Sequence, residues 1–265
     1  MSFMNSLISY LEITIMKKIK LILFLLLTIT SYGQDKMLKI EYEIFYNTDL
    51  PNTQYADLYV NDLINQSIYI KRNKLTENKE IKKEEDNSVS IKYNSKNNFN
   101  FFDFKSDSLI TVESIYGNEY LINETIPKLK WELIDENKLI DSILVSKAIC
   151  EFRGRKYIAW YSLDYPLKYG PWKLQGLPGL IFEVYDETKR YNWLLKKISY
   201  EDFNLKFYIN NFKKTKKITI NEYPKIKYDD NTINEKLLTK LPRGSSIISS
   251  ETKRNGLEIK FEWEE

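Results

Sequence analysis

The side chains able to do chemistry in this chain are carboxylates, amines, guanidiniums and phenols, because its 265 residues include no histidine and one cysteine, Cys150. Ser-His-Asp and Cys-His nucleophilic systems, histidine-ligated zinc and histidine pH switching are thereby removed. One cysteine forms no intrachain disulfide and no multi-cysteine metal cluster, so Cys150 is expected to be a small buried residue. Glycosidase-type chemistry needs two acids within several ångströms of each other. Asp164 and Glu183 are such a pair only if folding brings them together. Arg153 and Arg155 flank Gly154. They predict either a hairpin turn with solvated or paired arginines, Arg155 reaching Asp186 or Glu183, or an anionic-ligand site.

Other charged runs carry less. Glu84-Glu85-Asp86 and Asp229-Asp230 lack calcium-loop spacing and read as solvated loops. Phe212-Lys213-Lys214-Thr215-Lys216-Lys217 reads as a charged strand edge, or as a contact for an anionic membrane surface. The chain has 40 basic and 37 acidic residues, a net charge of +3, too little to imply a nucleic-acid partner. The sequence implies no metal and no cofactor. Asp107-Ser108-Leu109 and Asp141-Ser142-Ile143 resemble the Asp-Ser/Thr-apolar acceptor sites of periplasmic O-glycosylation.

The elements that must position these groups are strands. Tyr and Phe number 20 and 13, a composition suited to half-buried pleated surfaces. Ile40, Tyr42, Ile44 and Tyr46 alternate with Lys39, Glu41, Glu43 and Phe45, a period of two. Comparable runs cover Ala56–Val60, Ser67–Lys71, Val89–Tyr93, Phe99–Lys105, Ser108–Glu113 and Glu119–Asn123. Further runs cover Lys130–Ile134, Val145–Phe152, Arg155–Leu163, Leu180–Tyr185 and Tyr191–Ile198. Their close spacing argues for antiparallel pairing, since parallel crossovers need about a dozen residues or more. Asn255-Gly256 signals a hairpin turn, and Leu257, Ile259, Phe261 and Trp263 predict a final strand buried on one face. Helical spacing is confined to Asn231–Leu241, with Glu201–Asn211 open between helix and strand, and Lys74–Asn87 reads as a hairpin tip. The fold expected is mainly β, a single domain on a curved antiparallel sheet, half-barrel or barrel-like, with one or two short helices.

Residues 1–33 read as targeting. Lys17-Lys18-Ile19-Lys20 precedes an apolar run, Leu21–Ile29, and Ser31-Tyr32-Gly33 places small residues at −3 and −1 of a cleavage site. That run is well short of the roughly 20 residues a membrane-spanning helix needs. Met16 opens the signal peptide, leaving Met1–Ile15 as an upstream extension, and the mature domain is expected at 34–265, exported to the periplasm or beyond.

Residues 169–181 read Tyr-Gly-Pro-Trp-Lys-Leu-Gln-Gly-Leu-Pro-Gly-Leu-Ile. Gly176-Leu177-Pro178-Gly179-Leu180-Ile181 is the hexapeptide that names the GLPGLI family, which the chain resembles over Trp131–Asp186. Gly170-Pro171-Trp172, the stretch Arg153–Tyr161, Trp131-Glu132-Leu133, Lys147-Ala148 and Asp186 carry the rest of the likeness. Family members often have a cysteine shortly before the Lys-Ala pair, where this chain has Val145. The resemblance implies an exported β-rich protein of a Gram-negative bacterium, and it supplies no catalytic residue.

The loop residues admit two readings. Pro178 and Gly179 suit the centre of a type II turn, with Gly179 at positive φ, and Gly176 adds backbone freedom or room for close packing. Alternatively the loop is the rim of a site comprising Arg155, Trp160, Gly170, Pro171, Trp172, Gly176, Leu177, Pro178 and Gly179. The tryptophans read first as core. Three functions follow: an envelope protein holding an apolar ligand on its concave face, an accessory subunit of an outer-membrane component with an apolar patch near Trp172–Leu177, and a carboxylate hydrolase.

Overall fold

The period-2 runs become the strands of one 12-stranded sheet in a computed structural model that describes residues 15–18, 20, 36–72, 98–228 and 254–264. They are β1 (Lys36–Tyr46), β2 (Asn52–Asn61), β3 (Gln66–Arg72), β4 (Phe99–Asp103), β5 (Ser108–Ile115) and β6 (Asn118–Thr125), followed by β7 (Glu132–Ile140), β8 (Ile143–Phe152), β9 (Arg155–Ser162), β10 (Leu180–Asp186), β11 (Tyr191–Asp202) and β12 (Lys216–Thr219). Two short helices, α1 (Leu205–Asn210) and α2 (Tyr223–Tyr228), flank β12 in sequence. The chain divides into two compact units, Met1–Lys36 and Met37–Glu265, and residues 15–18 and 20 of the first are helical and exposed. No helix among the described residues is long and apolar enough to cross a membrane. The apolar run of the expected signal peptide, the run at Val89–Tyr93, the tip at Lys74–Asn87 and the helix at Asn231–Leu241 lie outside the described residues.

Strand order is β12-β6-β5-β4-β3-β2-β1-β11-β10-β9-β8-β7. Tight hairpins join neighbours where two successive residues take positive φ, as at Tyr116-Gly117, Asp141-Ser142 and Arg153-Gly154, the arrangement that matches strand twist. β12 pairs with β6 in parallel, so the sheet is mixed. Among the described residues β12 and β7 are its two ends, so it is open and no barrel closes. The exposed Lys216 and Lys217 lie on the β12 end.

The sheet nevertheless curls strongly. Neighbouring strands sit about 4.8 Å apart, so the step from β11 across β1 and β2 to β3 would span roughly 14 Å in a flat sheet. Trp193 on β11 yet donates its indole N–H to Tyr69 Oη on β3 at 3.0 Å. Arg153, in the β8–β9 turn, likewise reaches Glu124 on β6 at 2.5 Å. Ile40, Tyr42 and Ile44 of β1 and Leu58 and Val60 of β2 enter the concave core with Ala159, Val184 and Trp193. Cys150 is buried in the same core, and burial pushes its thiol up to about 12. The opposite face of β2–β5 presents Tyr59, Ile68, Ile70 and Phe101, which pack with Leu205 of α1 and with Phe212.

Two boundary expectations are corrected. Glu201–Asn211 is divided between the end of β11 and α1. Residues 257–263 form no strand. Alternation assigns Glu258 to solvent, but it is 6% exposed and bound to Arg153 and Lys173, an inward attraction that a local period cannot register.

Candidate functional site

Residues 163–179 connect β9 to β10 and fold back across the concave face. Backbone bonds from Gly176 N to Lys168 O (2.7 Å) and from Leu180 N to Tyr165 O (2.8 Å) fix the loop's path. Trp131 Nε1 donates to Gln175 O at 2.9 Å, and Tyr169 Oη donates to Asp62 Oδ1 at 2.7 Å. Tyr169, Leu174 and Leu177 are buried, with Gly176 and Pro178 exposed at the loop's tip.

The glycines act differently from the type II turn expected. Gly179 does not have positive φ; instead a Cβ there would overlap the Ser162 carbonyl oxygen. Gly170 is equally tight against the Leu174 carbonyl. The positive φ falls on Gly176, at +95°, and on Trp172, at +53°, a conformation rare for a bulky side chain. It carries the Trp172 indole into the core, stacked on Trp193 at 6.2 Å and 9°.

Beneath Trp172 lies a cavity of about 240 Å³. Tyr46, Tyr69, Tyr191 and Trp193 supply its aromatic wall, and Asn100 and Thr111 line it with Gly256, Leu257 and Glu258 of the C-terminal segment. Its charged lining consists of Lys71, Glu113, Lys173, Lys227 and Glu258. Tyr223 Oη and Lys227 Nζ both donate to the Glu113 carboxylate at 2.7 Å. Lys173, 2% exposed, donates to both Glu124 and Glu258, and Arg153 spans the same two carboxylates. Burial would raise the Glu258 carboxyl, but Lys173 and Arg153 overcome it and hold the group down at about 2. Burial lowers the Lys71 ammonium, and burial drives Tyr69 far above the usual phenol range.

The residues expected at a loop rim separate into different surroundings. Trp172 lines the cavity. Arg155 does not; its guanidinium binds Asp186 Oδ2 at 3.1 Å and donates to Gly256 O, pinning the segment that covers the cavity. Strand alternation puts Trp160 on the face opposite Tyr157, where the Lys138 ammonium sits 4.3 Å from the centre of its ring. Gly170, Pro171, Leu177 and Gly179 are buried backbone and packing positions. Of the two acids weighed for hydrolysis, Glu183 is bound by Lys138 and Asp164 is exposed. Asp107 and Asp141 sit exposed at positive φ in hairpin turns. Sequence reading missed Tyr46, Tyr69, Lys71, Glu113, Lys227 and Glu258, which come from β1, β3, β5, α2 and the C-terminal segment and share no motif.

No family model matches this chain, and no curated sequence does. Among solved structures it is similar to PNGF-II, seen in two crystal forms, with TM-scores of 0.50 and 0.49 and 12% identity. The alignment covers 73% of this chain and 33% of PNGF-II, so the chain spans about a third of that protein, and the likeness is one of fold. An uncharacterized conserved protein from Thermus thermophilus aligns over 68% of this chain and 90% of its own at 8% identity and a TM-score of 0.38. A candidate outer membrane lipoprotein-sorting domain from Vibrio parahaemolyticus aligns over 68% and 92% at 8% identity and 0.24, a level that carries no argument.

Proposed function

We propose that this is an exported, non-enzymatic envelope protein of the GLPGLI type that holds a small ligand in the cavity on the concave face of its sheet. The observation that supports this reading is the cavity itself: about 240 Å³ walled by tyrosine and tryptophan rings, with five charged side chains at its lining. Its volume falls below the roughly 300–1,000 Å³ of sites for drug-sized ligands, which favours a ligand of one or two rings. The accessory-subunit reading called for an apolar patch near Trp172–Leu177, but Trp172, Leu174 and Leu177 are buried. Exposed apolar side chains occur instead at Leu133 and Leu139 on the outermost strand β7. The hydrolase reading gains no support from a cavity whose two carboxylates each carry a lysine.

Native mass spectrometry of the protein purified gently from its own cell envelope tests the reading. A reproducible added mass of small-molecule size is expected. A bare chain under conditions that preserve weak complexes would overturn it, and a stoichiometric protein partner with no small molecule would replace it with docking.

A further inference from the structure

The charges that line the cavity are unevenly partnered. Lys173 and Arg153 share Glu124 and Glu258, Arg153 also binds the exposed Glu262 at 3.1 Å, and Lys227 faces Glu113. Lys71 is left over. Its Nζ lies 3.5 Å from Tyr46 Oη, at the outer limit of a hydrogen bond, and 5.2 Å from the centre of that ring. Among the described residues no carboxylate stands within ion-pair distance of it. Lys71 is partly buried, and an ammonium drawn partly out of water beside aromatic rings gains from an anion placed against it.

We propose that Lys71 receives the carboxylate of a small aromatic acid whose ring lies among Tyr46, Tyr191 and Trp193, an inference that rests on the cavity being a ligand site. Three observations set the class. A single ammonium without a carboxylate beside it matches a monoanion better than a phosphate dianion. The walls are ring faces and edges, Tyr46 and Tyr191 meeting T-shaped at 5.4 Å and Tyr191 and Trp193 at 6.5 Å, geometry suited to a further aromatic ring. The volume is about 240 Å³. A dry cavity near 150 Å³ is enough to hold benzene, so one ring with a short acid-bearing arm fits. Burial lowers the Lys71 ammonium, Glu113 pulls the other way and Lys227 adds to the lowering, as expected of a cation awaiting a partner.

The test titrates the full chain with benzoate, phenylacetate and indole-3-acetate, each against its neutral amide, and with inorganic phosphate. Trp172 and Trp193 line the cavity, so their fluorescence reports occupancy. At least one acid is expected to bind tenfold or more tighter than its amide, with phosphate without effect. Lys71→Met is expected to abolish that preference while melting at or above the wild-type temperature. Equal binding of acids and amides would overturn the inference, as would phosphate competing as well as the acids. If no acid binds but envelope-purified protein carries a neutral small molecule, the anion inference falls and the ligand site stands. If no acid binds and the purified chain is bare, both fall. Should Lys71→Met fail to fold, the wild-type ratio of acid to amide decides alone.

Discussion

Lys173 and Lys71 line the same cavity and live in opposite electrostatic worlds. Lys173 sits between Glu124 and Glu258 with Arg153 across from it, 2% exposed and fully compensated. Lys71 has a tyrosine hydroxyl at 3.5 Å. The first lysine belongs to a buried network that ties the β8–β9 turn, the connecting loop and the C-terminal segment to β6. The second leaves an unanswered charge where a ligand can supply the answer. The two lysines thus differ in burial, Lys173 being enclosed and Lys71 partly buried, and still more in their partners.

The sharpest way to break the comparison is to remove each amine in turn. Lys173→Met strands two buried carboxylates on Arg153 and should cost about 3–5 kcal/mol in denaturant unfolding, against no loss for Lys71→Met. Equal losses would put both lysines in one structural network. Acid titration sharpens the same point. Glu258 falls from an ordinary 4.5 to about 2 in the folded chain, so its contribution is complete above about 4.5 and disappears as the pH drops toward 2. A depression of that size corresponds to something on the order of 3 kcal/mol, which Glu258→Gln should delete from the stability–pH curve over that window. The smallest effect expected is in the loop that carries Trp172 over the cavity. Gly179→Ala pushes a methyl into the Ser162 carbonyl and should lower stability by roughly 1–3 kcal/mol, read as a lower melting temperature.

Much of the scaffold was legible in the residues. Alternation at Ile40–Tyr46, Arg155–Leu163 and Leu180–Tyr185 located β1, β9 and β10 because each strand has one face against the core and one more polar. The Arg155–Asp186 pair was among the partners anticipated, since both residues sit at the ends of adjacent strands. The loop was marked by its glycines and prolines, but their geometry was misassigned: close packing at Gly179 and positive φ at Gly176 leave similar traces in sequence. The cavity was not legible. Tyr46, Lys71, Glu113 and Lys227 converge only because the sheet curls, and curl is a property of long-range contacts such as Trp193 to Tyr69. Glu258 was misplaced for the same reason. A charge–charge contact 105 residues away overrides the local pattern.

That contact also fastens the C-terminal segment to the sheet. Glu124, Arg153 and Lys173 belong to strands, turns and loops that precede the C-terminal segment, which brings Glu258 to both cations and Glu262 to Arg153. The network is complete only once residue 258 is in place, a contact of long sequence separation. The C-terminal segment thus works as a clasp. Clipping it after residue 253 would leave the hairpins drawn but the molecule unfastened.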